Sequence, residues 1–567
     1  MATMPETDAG DRGGRGLLAR IPRLLACLFV AVVVVDAAVT LAAMVEDSGG
    51  LILLSDALSW QKLGEVLVIA AWMLPAVRGR PARPSRGAWS AMLVGALMNA
   101  WAWSDLAQRT NWAPWCLAVA GFVPLAWALG RWTLSRRFLS VALALAWLSA
   151  SFWGVFESGY RWYPIPDAPP EAAADRDGRR AQDLRHLMIE LERHHVDMFH
   201  TTTREAFSAE VNALVADIPQ LTDFEIDVRM AALVASVGDA HTSLYRSYYE
   251  SAPRLPIDVE WFADGLALTS LPASLPETPG GPRRDPNTLL GARITHIDGR
   301  SVDELMAAVT RVIPHENRSW LLAKSPSLLV RPAVLHALGA LGPPGETVEL
   351  SVVQDTAPAS LTLPLLGPDE HVDRTTRPAI DGLAERHPDQ LFWWERLPAE
   401  DVVYVRYRKC HEFWAFRRFA SELRDELERD PPRRLVLDLR GNTGGSSVQW
   451  SWFLMPGLRG GPLNDPERLH VLIDRGTYSS GSGNAIETAR ETRATLLGEP
   501  TGGALNVHGE VRYFFLPNSG IPVTYSTKYH ARMPGSPDNT LRPDIEIVPT
   551  ATDWLAGRDP VLERALR

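Results

Sequence analysis

The stretch His470-Val-Leu-Ile-Asp-Arg-Gly-Thr-Tyr-Ser-Ser-Gly-Ser-Gly-Asn-Ala-Ile-Glu-Thr-Ala-Arg-Glu491 decides how the chain folds. Its first four residues, His470–Ile473, form a short apolar run of strand character. Gly483–Glu491 has helical periodicity, and between them lies a turn rich in Gly and Ser. A strand that feeds a helix through a tight turn is the unit of a parallel sheet with crossover helices. The unit recurs on both sides. Strand-like runs at Val402–Tyr407, Arg434–Leu439 and Thr495–Leu497 alternate with helical runs at Glu412–Glu428 and Ser446–Leu454. An α/β core over residues 371–567 is therefore expected.

Upstream of that core the pattern changes. Ala181–His195, Thr203–Ile218 and Asp223–Val237 carry helical periodicity and imply a helical cap over residues 181–250. Residues 251–370 turn to short strands broken by Gly and Pro. Within them Gly291-Ala-Arg-Ile-Thr-His-Ile-Asp-Gly299 followed by Val302–Val312 reads as strand, turn and helix, in part like a PDZ module. Residues 161–180 include Tyr163-Pro-Ile-Pro-Asp-Ala-Pro-Pro-Glu-Ala-Ala-Ala-Asp-Arg-Asp-Gly-Arg-Arg180, the composition of a linker.

Residues 1–160 are of another kind. Apolar stretches at about Ile21–Val45, Leu58–Val77, Ala88–Leu106, Ala113–Gly130 and Phe138–Phe156 are long enough to span a bilayer as an all-α bundle of about five helices. Arginine clusters at every other loop: Arg12, Arg15, Arg20 and Arg23, then Arg78, Arg80, Arg83 and Arg86, then Arg131, Arg136 and Arg137. The positive-inside rule assigns those loops to the cytoplasm and everything after Phe156 to the outside of a multi-pass cell-membrane protein. The third stretch, diluted by Asn99, decides this parity. Asp36 lies within the first stretch, and one intramembrane charge is thin support for a transporter or sensor.

Composition excludes several classes. A formal net charge of −10 over 567 residues gives no basic footprint for nucleic acid. Cys27, Cys116 and Cys410 allow neither a disulfide framework nor a cysteine zinc site. His194, His195 and His200 lie near Glu192 and Asp197 but match no zinc spacing, and read as a solvated helix face. Only four lysines occur, Lys62, Lys324, Lys409 and Lys528.

Two turns can carry chemistry. A serine at the mouth of the helix after Asp474 gains from free N–H groups and a partial positive charge, although such serines also cap helices. Leu437-Asp-Leu-Arg-Gly-Asn-Thr-Gly-Gly445 is a second strand-to-turn element, whose glycines can present backbone N–H groups to an oxyanion. No Walker lysine follows it, so it is not a nucleotide loop.

Taken in order, the elements Asp239-Ala-His-Thr242, Asp438-x-Arg-x-Asn-x-Gly-Gly445, Arg475-Gly-Thr-x-Ser479, Leu497-Gly-Glu-Pro-Thr-Gly-Gly503 and Leu541-Arg-Pro-Asp-Ile545 resemble the tail-specific, or C-terminal processing, serine peptidase family. The resemblance runs from about Ala181 to the C-terminus. It implies a ClpP/crotonase-like core with a helical cap and a PDZ-like insert, and a peptide or polypeptide substrate. It places the nucleophile at Ser479, with Ser480 as the near alternative. The oxyanion donors would be Gly444 or Gly445 together with the N–H of Ser480.

The family's processing branch uses a lysine base just after the Gly-rich stretch, where this chain has Ala504. Lys528 is the only lysine after the nucleophile. The tricorn-type branch, with a histidine base, fits His241, and an imidazole suits proton transfer at neutral pH. Asp538 corresponds loosely to that branch's acid, and Glu510 is a second candidate. His508 is expected to line the cleft without a catalytic role. No metal or organic cofactor is required. The expectation is thus a membrane-anchored serine peptidase acting on extracytoplasmic polypeptides. The alternative is an inactive peptidase-like scaffold that binds peptides or assembles a complex at the membrane.

Overall fold

The computed structural model describes residues 173–567, apart from 246, 276–284, 355, 378–381 and 537. The expected membrane spans and Asp36 lie outside the described residues. Among those described, no helix is long and apolar enough to cross a membrane.

The helical cap comes first. Helix α1 (Arg176–His194) starts where the Asp175 side chain accepts the Gly178 N–H, inside the stretch read as linker, because this cap outweighs the Pro- and Ala-rich composition before it. Leu184, Leu187 and Leu191 recur at helical spacing and are fully buried. Helix α2 (Arg204–Asp217) is capped by Thr203, and α3 (Asp223–Ala235) by a reciprocal Thr222–Glu225 box. The chain then turns through Gly238 into Asp239–Thr242 and the short strand β1 (Ser243–Leu244).

The insert is an antiparallel sheet. Its strands are β2 (Asp258–Phe262), β3 (Gly265–Pro272), β4 (Arg293–Ile297), β5 (Arg300–Ser301), β6 (Thr347–Gln354), β7 (Ala357–Pro364) and β8 (Arg374–Thr376). The order is β2-β3-β4-β6-β7, with β5 on β4 and β8 on β3. Since β8 pairs with β3, the insert extends beyond residue 370. Helix α4 (Val302–Thr310) follows a Ser301–Glu304 capping box, and α5 (Arg318–Leu329) is capped by Asn317.

The core sheet contains β9 (Phe392–Leu397), β10 (Val402–Tyr407), β11 (Arg434–Asp438), β12 (Leu469–Ile473), β13 (Thr495–Gly498) and, late in the chain, β16 (Ile545–Glu546). The order is β16-β13-β12-β11-β10-β9, and all pairs are parallel except β9 with β10. Both faces are covered. Val403, Val405, Leu435, Leu437 and Val471 enter one apolar cluster, and the alternate residues Val402, Tyr404, Val436 and Leu472 enter another. This explains why the strands read as mostly apolar runs. Helix α6 (Phe413–Arg429) connects β10 to β11, and α7 (Ser480–Glu491) connects β12 to β13.

Between β13 and β16 the chain leaves this sheet as a hairpin, β14 (Asn506–Phe515) and β15 (Pro522–Ala531). It pairs instead with β1, through Ser243 opposite Thr524. Phe514, Leu516, Val523 and Tyr525 join the apolar cluster of the cap and insert. The stretch expected to be wholly core thus lends a hairpin to the cap, and that hairpin carries the Asp239–Thr242 turn to the mouth of α7.

Candidate active site

Ser479 lies between β12 and α7 with φ 52° and ψ −123°, a region that costs a non-glycine residue about 1–3 kcal/mol. The strain is held by its surroundings. The Tyr478 N–H donates to the Asn442 carbonyl at 2.9 Å, and the Gly503 N–H donates to the Thr477 carbonyl at 3.0 Å. Arg475 binds Glu499 through two hydrogen bonds, 2.6 and 2.5 Å, tying this turn to the one after β13. Asp438, fully buried, accepts from Arg440 and from the Tyr404 hydroxyl and anchors the glycine turn. The charged motif residues therefore build the loops rather than face a substrate.

The Ser479 hydroxyl is 3.1 Å from Nε2 of His241, a residue 238 positions earlier in the chain. On the other side of the ring, Nδ1 lies 3.0 Å from the Tyr478 hydroxyl and 3.8 Å from Oδ1 of Asp239. If Nε2 accepts the serine proton, Nδ1 carries a hydrogen and donates to Tyr478; these roles follow from the chemistry of the pair. Burial lowers the His241 imidazole below its ordinary value, and Asp239 opposes that shift. The ring is thus an unprotonated base at neutral pH.

Asp239 is fully buried, which by itself would raise its carboxyl. Hydrogen bonds from His195 at 3.1 Å and Thr242 at 2.6 Å, together with the His241 ring, outweigh burial and hold it at about 2. Its Oδ1 also accepts the His241 backbone N–H at 2.8 Å and so orients the turn.

The expected acid, Asp538, is not brought to this site. Its side chain is exposed and accepts from Arg542 at 2.9 Å, because the turn that holds it projects into solvent. Glu510, at φ 56°, lies 3.9 Å from His530. Among the described residues, a carboxylate oxygen of Asp239, one of Glu316 and a ring nitrogen of His241 lie within 4.8 Å of one another. Such a trio has the makings of a cation site. Yet both ring nitrogens are engaged by Ser479 and Tyr478, and three donors occupy Asp239.

The two serines divide their work. The Ser480 hydroxyl donates to the Gly445 carbonyl at 2.6 Å, leaving Ser479 as the hydroxyl that meets the base. Gly444 adopts φ +99°, and a Cβ there would lie 2.8 Å from both the Ser479 Cβ and the Ser480 nitrogen. Its N–H is taken by Asn442 Oδ1 at 2.9 Å, so Gly444 contributes room rather than a donor, a correction to one of the two expected glycines. Ser480 follows Ser479 as the first residue of α7, and the Gly445 carbonyl is tied to its hydroxyl.

The histidines read as a solvated face are partly interior. His195 is buried, accepts the Asp197 N–H at Nδ1 and donates from Nε2 to Asp239. Its ring lies 5.6 Å from that of His508, which in turn packs 4.2 Å from His200. His508 is buried, and burial pushes it down to about 4. Ala504 is fully buried, and Lys528 lies on β15 opposite Gly509.

Sequence reasoning did not place Asp239, Tyr478 or Glu316 around the His241 ring. Asp239 was signalled by its place two residues before His241, where a carboxylate caps the turn's own N–H. Tyr478 adjoins the nucleophile. Glu316, in the insert, has no local signal at all.

No protein-family model matches the chain, and no curated protein matches it. Among solved structures, mature CPAF complexed with lactacystin is similar at 13% identity, over 69% of this chain and 99% of that one, with a TM-score of 0.47. The photosystem II D1 C-terminal processing protease is similar at 15% identity, over 65% and 93% of the two chains, with a TM-score of 0.31. The tricorn protease is similar at 12% identity, over 68% of this chain and 36% of that one, with a TM-score of 0.32. At such identities the chemistry of the site has to be read from its own atoms.

Proposed function

We propose that this protein is a serine-type peptidase of tail-specific character, with a ClpP/crotonase-like core and a PDZ-like insert. The observation that carries the reading is the 3.1 Å contact between the Ser479 hydroxyl and His241 Nε2, at the strained mouth of a helix. His241 takes the serine proton as Oγ attacks a peptide carbonyl. The resulting oxyanion rests on the N–H groups of Gly445 and Ser480, aided by the N-terminus of α7. His241 then protonates the leaving amine. Water, deprotonated by the same ring, clears the acyl-enzyme. Asp239 and the Tyr478 hydroxyl stabilise and orient the imidazolium formed in each step, and no step requires a cofactor.

The apolar stretches before residue 160 and their alternating arginines support a membrane-anchored enzyme whose substrate is an extracytoplasmic polypeptide. The test is to incubate the full-length chain, in mild detergent, with a fluorophosphonate probe and with unfolded polypeptides. Labelling and cleavage that vanish in Ser479→Ala support the reading. Peptide binding without labelling or turnover would instead leave an inactive scaffold.

A further inference from the structure

We propose that Glu316, carried by the insert, is a positioning residue of the Ser479–His241 pair, acting on the His241 ring across the buried space it shares with Asp239 and Tyr478. This rests on the hydrolase reading. Glu316 lies in the short link between α4 and α5, and a carboxyl oxygen is within 4.8 Å of an Asp239 carboxylate oxygen and of a ring nitrogen of His241. Among the described residues, neither of its oxygens has a hydrogen-bond partner. The backbone N–H groups of Ala240 and of Glu316 itself face the carboxyl without forming bonds of standard geometry. A buried, unsatisfied carboxyl is costly to the fold, and such groups concentrate where function needs them.

The residues beside Glu316 hold it there. The Asn317 side chain donates to the carbonyls of Gly502 and Asn539 at 3.0 and 3.1 Å. Trp320, one turn further on, stacks on Tyr478 with ring centroids 3.8 Å apart and planes 12° from parallel. The start of α5 is therefore clamped onto the turn that carries Ser479, and Glu316 is held beside His241.

The charged and titratable groups facing Glu316 are Asp239 and His241 from the cap turn, Tyr478 from the nucleophile turn, and Arg532 from the end of β15. Burial, reinforced by Asp239, raises the Glu316 carboxyl to about 8. It is mostly protonated at neutral pH and becomes a second negative charge beside the imidazolium as pH rises. That charge favours the protonated ring formed in the transition state.

The experiment measures the rate of fluorophosphonate labelling against pH for the full-length wild-type, Glu316→Gln, Glu316→Asp and Ser479→Ala chains, with melting temperatures alongside. Wild type and Glu316→Gln should react equally near pH 6. The wild type should then outpace the variant by about tenfold at pH 9, in keeping with loss of one charge near the base. Glu316→Asp should keep part of the alkaline rise, and Glu316→Gln should melt no lower than wild type.

A Glu316→Gln rate equal to wild type at every pH, or slowed by one factor at every pH, overturns the proposal. So does a loss of rate that follows a fall in melting temperature. A wild-type chain that is not labelled at Ser479 overturns the hydrolase reading and this one with it. A labelled wild type beside a Glu316→Gln chain of unchanged profile overturns this one alone.

Discussion

The hydroxyl of Tyr478 lies 3.0 Å from Nδ1 of His241, so the residue that precedes Ser479 also holds the far side of the imidazole. Ser479 and Tyr478 therefore grip the two nitrogens of one ring from a single strained turn. Tyr478→Phe removes the second grip while Trp320 keeps the aromatic ring in place. We expect kcat/KM to fall about 10- to 100-fold with little change in melting temperature, checked by steady-state kinetics and calorimetry.

The two adjacent serines separate cleanly. Ser479→Ala is expected to lower turnover at least about a thousandfold. Ser480→Ala, which loses only the bond to the Gly445 carbonyl, should stay within about tenfold of wild type, since a single hydrogen bond is worth roughly 1 kcal/mol. Ser479→Gly relieves the φ 52° conformation and should add about 1 kcal/mol of stability, read from denaturant unfolding, while abolishing activity.

Two acids invite opposite outcomes. Asp538→Asn touches only an exposed pair with Arg542 and should leave both rate and stability unchanged within error. Asp239→Asn strips a buried charge from beside His195, Thr242 and His241, and should cost about 3 kcal/mol as well as most of the activity. Equal effects of the two substitutions would contradict the assignment of Asp239.

The same buried groups set the pH dependence. The imidazole of His241 is lowered, so the base form persists on the acid side of pH 6.5, and the rising limb of kcat/KM should lie below that value. Asp239 is depressed to about 2 from 3.8; its contribution is present above pH 3.8 and is lost as pH falls towards 2. That contribution amounts to about 2 kcal/mol, and the stability gap between wild type and Asp239→Asn should narrow by this much in acid. Glu316 has the opposite sign. Its carboxyl is raised from 4.5 to about 8, so the fold loses stability as pH climbs between those values, and Glu316→Gln should be the more stable chain at pH 8.

Gly444→Ala tests the floor of the site. The added Cβ would meet the Ser479 Cβ and the Ser480 nitrogen at 2.8 Å in a backbone region that disfavours side chains. Activity should fall by about a hundredfold or more, with Ser479 displaced from His241 in a crystal structure of the variant.

Local pattern was enough for the core. The runs at Val402–Tyr407 and Thr495–Leu497 are mostly apolar, broken only by Arg406 and Thr495, because the parallel sheet is buried on both faces, and covered strands leave that signature in any chain. The strand-turn-helix around Ser479 and the Asp-x-His turn at His241 were legible for a similar reason, since a tight turn admits few residue types. Left to the tertiary structure were the partners across space. Glu316 reaches His241 because α5 is stacked on Tyr478, and the β14–β15 hairpin joins the cap by pairing with β1. Asp239 and Glu316 lie beside His241 and Asp538 does not, because a carboxyl's electrostatic surroundings depend on burial and distance. For Glu316 those are properties of packing between segments far apart in the chain, and composition and spacing do not encode them.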